Sequence, residues 1–126
     1  MNQKRANIKT NIDNFFTMWM RFTEPFHKLA PRYQMVIAIL LRYHYDLGKE
    51  ITNEKVLWKE VFSYESKIKL ADEMNINKQS VENLLTYLRK RNVIINNRIS
   101  PAYLPDLSNN PDNFSININF HINYAD

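Results

Sequence analysis

The side chains best suited to a chemical task in this chain are amides and cations gathered in one stretch: Asn77, Lys78, Gln79, Glu82, Asn83 and Thr86, then Arg89, Lys90 and Arg91. At the exposed N-terminal positions of a helix lying in a DNA major groove, the first six would face bases and phosphates. Gln and Asn can pair with adenine through two hydrogen bonds, and Lys can meet guanine or a phosphate. Arg89, Lys90 and Arg91 would sit at the end of the helix and add attraction to the backbone, although cations there also pair with the helix dipole without any partner.

Other chemistries find little support. Cysteine is absent, which removes disulfides, thiolate nucleophiles and Cys-bearing zinc sites. His27, His44 and His121 are far apart, and no Ser-His-Asp order, paired-carboxylate frame or metal spacing stands out. Gly48 is the single glycine, so no glycine-rich phosphate loop exists. Tyr43, His44 and Tyr45 form an aromatic patch, read here as packing and rim residues, and His44 has no Asp partner at catalytic spacing. The expectation is a protein with no catalytic residues, no metal and no cofactor.

The elements that must position the polar stretch follow from the residues around it. Lys67 to Thr86 fits the helix-turn-helix template: Ala71 is the small residue where two steeply crossed helices touch, and Asn75 tolerates positive φ at the turn. Leu70, Met74, Ile76, Val81, Leu84 and Leu85 fall where apolar side chains lock the second helix to the first. Asn77 is placed to cap that helix, which runs from Lys78 to about Arg91. Beyond it, Val93, Ile94 and Ile95 read as a strand, Asn96-Asn97 as a turn, and Arg98-Ile99-Ser100 as the start of a return. Pro101, Pro105 and Pro111 exclude regular structure from about 101 to 113. Residues 114 to 122 then alternate, with Ile116, Ile118, Phe120 and Ile122 on one face and Asn117, Asn119 and His121 on the other, as in a half-buried strand.

The first half of the chain is expected to be helical over 11–62. In Asn11 to Thr23, Phe15, Met18, Trp19 and Phe22 show helical spacing, Asp13 can cap, and Pro25 should end or kink the helix. Phe15, Phe16, Met18, Trp19, Met20 and Phe22 offer more apolar surface than one contact needs, which makes them candidates for a homo-oligomer interface. A second helix should run from Pro31 to Gly48, with Met35, Ile37, Ala38, Ile39, Leu40 and Leu41 making it the central core helix. A short helix after Thr52 or Asn53 should follow. Residues 1–10, with Lys4, Arg5 and Lys9, read as a basic flexible arm.

At 126 residues and 15.1 kDa, 44% hydrophobic and 13% aromatic, the chain has enough apolar material for one folded domain over 11–126. Its 17 Lys+Arg against 13 Asp+Glu give a net charge of +4, which permits a polyanionic partner without requiring one. No apolar run approaches a membrane span and the first residues lack a signal-peptide core, so neither export nor membrane insertion is expected. The 17 Asn, 13 Ile and 10 Lys suggest an AT-rich coding sequence.

Residues 66–122, and above all ADEMNINKQSVENLLTYLRKRNVI, resemble the winged helix-turn-helix of MarR-type bacterial regulators and of phage or plasmid replication proteins. The resemblance implies a mainly α fold with a small β-hairpin, the helix-turn-helix at 66–91 and a wing hairpin over 93–122. It makes Lys78, Gln79 and Asn83 contacts of the recognition helix, and Asn97 and Arg98, or the loop 101–113, the wing. The expected function is non-enzymatic binding of double-stranded DNA in transcription regulation or replication, in a bacterial cytoplasm, with a cell or a phage as the source of the gene. The competing expectation is a structural or adaptor protein, for example in a virion or replication complex, whose winged helix meets protein. Asp72, Glu73 and Glu82, which bring negative charge near the supposed phosphate surface, speak for that competitor.

Overall fold

The computed structural model describes residues 11–105; the arm expected over 1–10 and the strand expected over 114–122 lie outside them. The described chain is mainly helical, with a small two-stranded antiparallel sheet. Its elements are α1 (Ile12–Phe22), α2 (Glu24–His27), α3 (Pro31–Leu47), α4 (Glu54–Val61), α5 (Tyr64–Met74), α6 (Lys78–Lys90), β1 (Ile94–Ile95) and β2 (Arg98–Ile99), then a 3-10 turn, η1 (Pro101–Tyr103). The region from 101 to 105 is therefore more regular than its prolines suggested.

α3 is the axis of the fold. Residues Val36 to Leu41 are all buried, and a helix that is apolar on every side must be covered on every side. α1, α4, α5 and α6 all pack against it. Gln34 is buried as well, and donates to the Leu29 carbonyl at 2.8 Å, so its amide is not stranded. Met35, expected in the core, is instead exposed on the outer side.

α1 supplies much of the core. Phe15, Phe16 and Met20 are buried in the common core, and Met18 and Trp19 are half-buried. Only Phe22, of the six residues expected to mediate self-association, stays exposed, because α3 is wide enough to take the breadth of the apolar stripe. The cap of α1 is Asn11, whose side chain accepts from the Asn14 N–H at 3.0 Å, two residues ahead of the Asp13 expected. The indole N–H of Trp19 donates to the Tyr103 carbonyl at 2.8 Å and ties η1 back onto α1. His27 bridges the corner between α1 and α3. Its Nδ1 accepts from Leu29 N–H (3.0 Å), which leaves Nε2 as the donor to the Met20 carbonyl (2.8 Å).

The helix pair expected over 66–91 is present as α5 and α6, with α5 starting two residues early because Ser63 caps it through the Ser66 N–H. Asn75 ends α5 at φ 54°, ψ 45°, in the left-handed region. Ile76 N–H then reaches back to the Ala71 carbonyl and Asn75 N–H to Asp72, the two bonds of a Schellman closure. α6 ends the same way: Asn92 has φ 60°, Val93 N–H donates to the Leu88 carbonyl and Asn92 N–H to Arg89. At the second closure Leu88 and Val93 are fully buried, and at the first Ala71 is buried and Ile76 half-buried. The hairpin closes within six residues. Ile94 pairs with Ile99 and Ile95 with Arg98, while Asn96 and Asn97, at φ 52° and 55°, make a two-residue turn with both residues left-handed. The hairpin expected over 93–122 thus has its return strand at Arg98–Ile99, and the chain leaves it directly for η1.

Two side-chain clusters fasten the outer helices to α3. His44 stacks on Trp58 at 4.2 Å and lies 3.2 Å from Glu54, joining α3 to α4. Arg42 and the Tyr43 hydroxyl both donate to the Glu73 carboxylate, joining α3 to α5. Burial first, and then Glu73, push the Tyr43 hydroxyl above its ordinary pKa of 10.0.

Two outcomes follow from this packing. Ala71 is buried where α5 meets the core, so Ala71→Leu should overpack the site and lower stability by ~1–3 kcal/mol. An unchanged thermal midpoint would take Ala71 out of that contact. A folded-state pKa raised above the unfolded one means that Tyr43 contributes its full stabilisation below pH 10.0, and loses it as pH rises beyond. Thermal stability measured from neutral to strongly alkaline pH should therefore fall more steeply in the wild type than in Tyr43→Phe, and superimposable profiles would show that this hydroxyl carries no such linkage.

Candidate nucleic-acid interface

α6 rests on the core through Val81, Leu85 and Leu88, all fully buried. At 3.6 residues per turn, this anchoring turns the opposite side to solvent. Gln79, Asn83, Thr86 and Lys90 form one exposed stripe along the whole helix, with Lys78 exposed beside it at the N-terminal end. Arg91 and Arg98 are also exposed, and Arg89 is half-buried. The residues singled out from sequence therefore belong to α6, to its two caps, or to the hairpin that follows it.

Asn77 has a different place from the rest. Its Oδ1 accepts from the Ser80 N–H at 2.8 Å, so the acceptor is committed to capping α6. Gln79 Nε2 donates to Asn83 Oδ1 at 3.1 Å, one turn along. This bond turns two amides into a fixed pair that still has the Gln79 Oε1 acceptor and the Asn83 Nδ2 donor to offer. Lys78 carries its ammonium 3.9 Å from the centre of the Tyr64 ring, a cation–π contact between the starts of α6 and α5. Tyr64 is 61% exposed. Nothing in the spacing of the sequence marked it, because the contact joins residues fourteen positions apart whose only link is the crossing of their helices.

The carboxylates that compete for this face are largely engaged. Glu73 is held by Arg42 and Tyr43, and Glu82 pairs with Lys67 at 3.1 Å. Asp72 is exposed. From Asn83 to Pro105 the chain has Arg89, Lys90, Arg91 and Arg98 and no acidic residue, so a charge equal to the net +4 of the entire chain is concentrated at the end of α6 and the hairpin. Among the described residues no group of His, Asp and Glu could hold a metal ion, and no helix is long and apolar enough to cross a membrane.

No family model, curated protein or solved structure matches this chain.

The capping bond separates Asn77 from its neighbours in a measurable way. Asn77→Ala should destabilise the protein by about 1 kcal/mol through loss of the cap, whereas Asn83→Ala, on the solvent side, should stay within about 0.5 kcal/mol of wild type. Chemical denaturation of both variants checks this, and an Asn77→Ala midpoint equal to wild type would show that the cap is not needed.

Proposed function

We propose that the protein binds double-stranded DNA without catalysis, in transcription regulation or replication, with α5–α6 acting as a helix-turn-helix, the 94–99 hairpin as a short wing, and α6 in the major groove. The observation that carries this reading is the single exposed stripe Gln79–Asn83–Thr86–Lys90 on a helix whose far end is flanked by Arg89, Arg91 and Arg98 and no acid. A helix about 20 Å long with polar, hydrogen-bonding side chains along one face suits the width and depth of that groove.

The chemistry of the stripe favours A·T pairs. Adenine presents an acceptor, N7, beside a donor, N6, on its major-groove edge. The Gln79–Asn83 pair keeps one group of each kind to offer, an Asn83 donor and a Gln79 acceptor. Lys78, drawn over Tyr64, stands at the border of the stripe, a position suited to phosphate. The pairing of Glu73 and Glu82 with cations of their own domain removes much of the repulsion that would have favoured a protein partner for this face.

Binding measured against a panel of duplexes tests the reading. Gln79→Ala or Asn83→Ala should relax preference at one base pair by ~1–3 kcal/mol, while Lys90→Ala should weaken binding to all sequences alike and reduce the salt slope by about one. Equally weak binding of the wild type and all three variants to every duplex would point instead to an adaptor whose α6 face meets protein.

A further inference from the structure

The cationic end of α6 is continued by a residue from another part of the chain. Tyr33, in the first turn of α3, and Tyr87, near the end of α6, stack with ring centres 4.0 Å apart and planes 16° from parallel. Each ring carries a guanidinium. Arg32 lies 4.9 Å from the Tyr33 centre and donates through Nη2 to the Tyr33 hydroxyl at 3.0 Å, and Arg91 lies 5.2 Å from the centre of Tyr87. Both arginines are exposed, whereas Tyr33 is buried and Tyr87 half-buried. The rings are thus a fixed base, and the two cations stand at its solvent edge.

The position of this base relative to the polar stripe gives it meaning. Successive residues turn by about 100° around a helix, so Arg89 and Arg91 leave α6 on opposite flanks of the Gln79–Asn83–Thr86–Lys90 stripe. A helix in the major groove has a sugar-phosphate strand along each flank. Lys78 shares the flank of Arg89, being eleven residues, close to three full turns, away. On the other flank stands Arg91, and the tyrosine stack links Arg32 to it.

We propose that Arg32 is a phosphate-contacting residue of the DNA-binding surface, held on the Arg91 flank of α6 by the Tyr33–Tyr87 stack, so that the protein grips both backbones bordering the groove. The proposal rests on the duplex-DNA reading of α6. A guanidinium has five N–H donors, and the bond to the Tyr33 hydroxyl engages one, which leaves a forked pair for phosphate oxygens. Each strand of B-DNA carries a phosphate for about every 3.4 Å of axis. Two guanidiniums linked by steps of 4.9, 4.0 and 5.2 Å therefore fall within a few nucleotides of one strand.

Fluorescence anisotropy with one labelled mixed-sequence duplex, over a range of KCl concentrations, tests this on the full chain. Arg32→Ala should lower the slope of log affinity against log salt by about 0.9, the loss of one neutralised phosphate. Arg32→Lys, which keeps the charge, should retain the slope, and Arg89→Ala should lower it independently from the other flank. Thermal melts accompany each variant, and Arg32→Gln, which keeps the stem over Tyr33, carries the same expectation as Arg32→Ala should the latter fail to fold. A wild-type slope in Arg32→Ala or Arg32→Gln, with Arg89→Ala reduced, overturns the role of Arg32 and leaves the DNA reading intact. Absence of wild-type binding to any duplex at low salt overturns both.

Discussion

Four asparagines in the left-handed region hold the candidate interface together. Asn75 stops α5, Asn92 stops α6, and Asn96 with Asn97 reverses the hairpin, all at φ between 52° and 60°. Most side chains resist this conformation because Cβ crowds the following carbonyl oxygen, and glycine is the usual solution. This chain has one glycine, Gly48, and it adopts an ordinary right-handed conformation at the end of α3. Asparagine, whose short amide can bond locally, takes the task over. If any of the four took extended geometry, the direction of the next element would change and the exposed stripe of α6 would no longer be set against the hairpin. The abundance of Asn, which as composition alone looked like a mark of the coding sequence, thus has a structural use. Three more, Asn11, Asn53 and Asn77, cap helices through their side chains.

Charge is arranged around the same frame. The chain is only modestly basic, and a +4 charge spread evenly would mean little for a polyanion. The fold makes it local. Glu73 closes against Arg42 and Tyr43, Glu82 against Lys67, and the stretch from Asn83 to Pro105 has four cations with no acid among them. Pairs as exposed as these add little stability. Their larger effect is on the field that a ligand approaching α6 would meet, since a carboxylate already paired repels a phosphate less than a free one.

α3 connects this surface to the rest of the protein. It is buried through its middle, and its two ends carry side chains that reach outward: Arg32 and Tyr33 toward the end of α6, Arg42 and Tyr43 toward α5, His44 toward α4. A single rigid helix therefore sets the relative positions of three others. α1 covers its remaining side, and the Trp19–Tyr103 bond closes the chain after the hairpin onto α1.

The local part of this design was legible in the residues themselves. Ala71, Asn75 and Asn77, and the Asn96-Asn97 dipeptide, announce a close contact, a left-handed stop, a cap and a tight turn because each constraint acts over three or four neighbouring residues. The alternation of apolar positions in the same way placed α5 and α6 and the start of β1. Contacts between distant segments decided the rest. The breadth of apolar surface on α1 was plain in sequence, but whether Phe15, Phe16 and Met20 met a second copy or their own α3 depended on how the helices pack. The partners of Glu73 and Glu82, the seat of Lys78 on Tyr64, and the stack that carries Arg32 to the end of α6 all join residues that no local spacing relates. Side-chain chemistry states what each of these groups can bind, and only the crossing of the helices brings the groups within reach of one another.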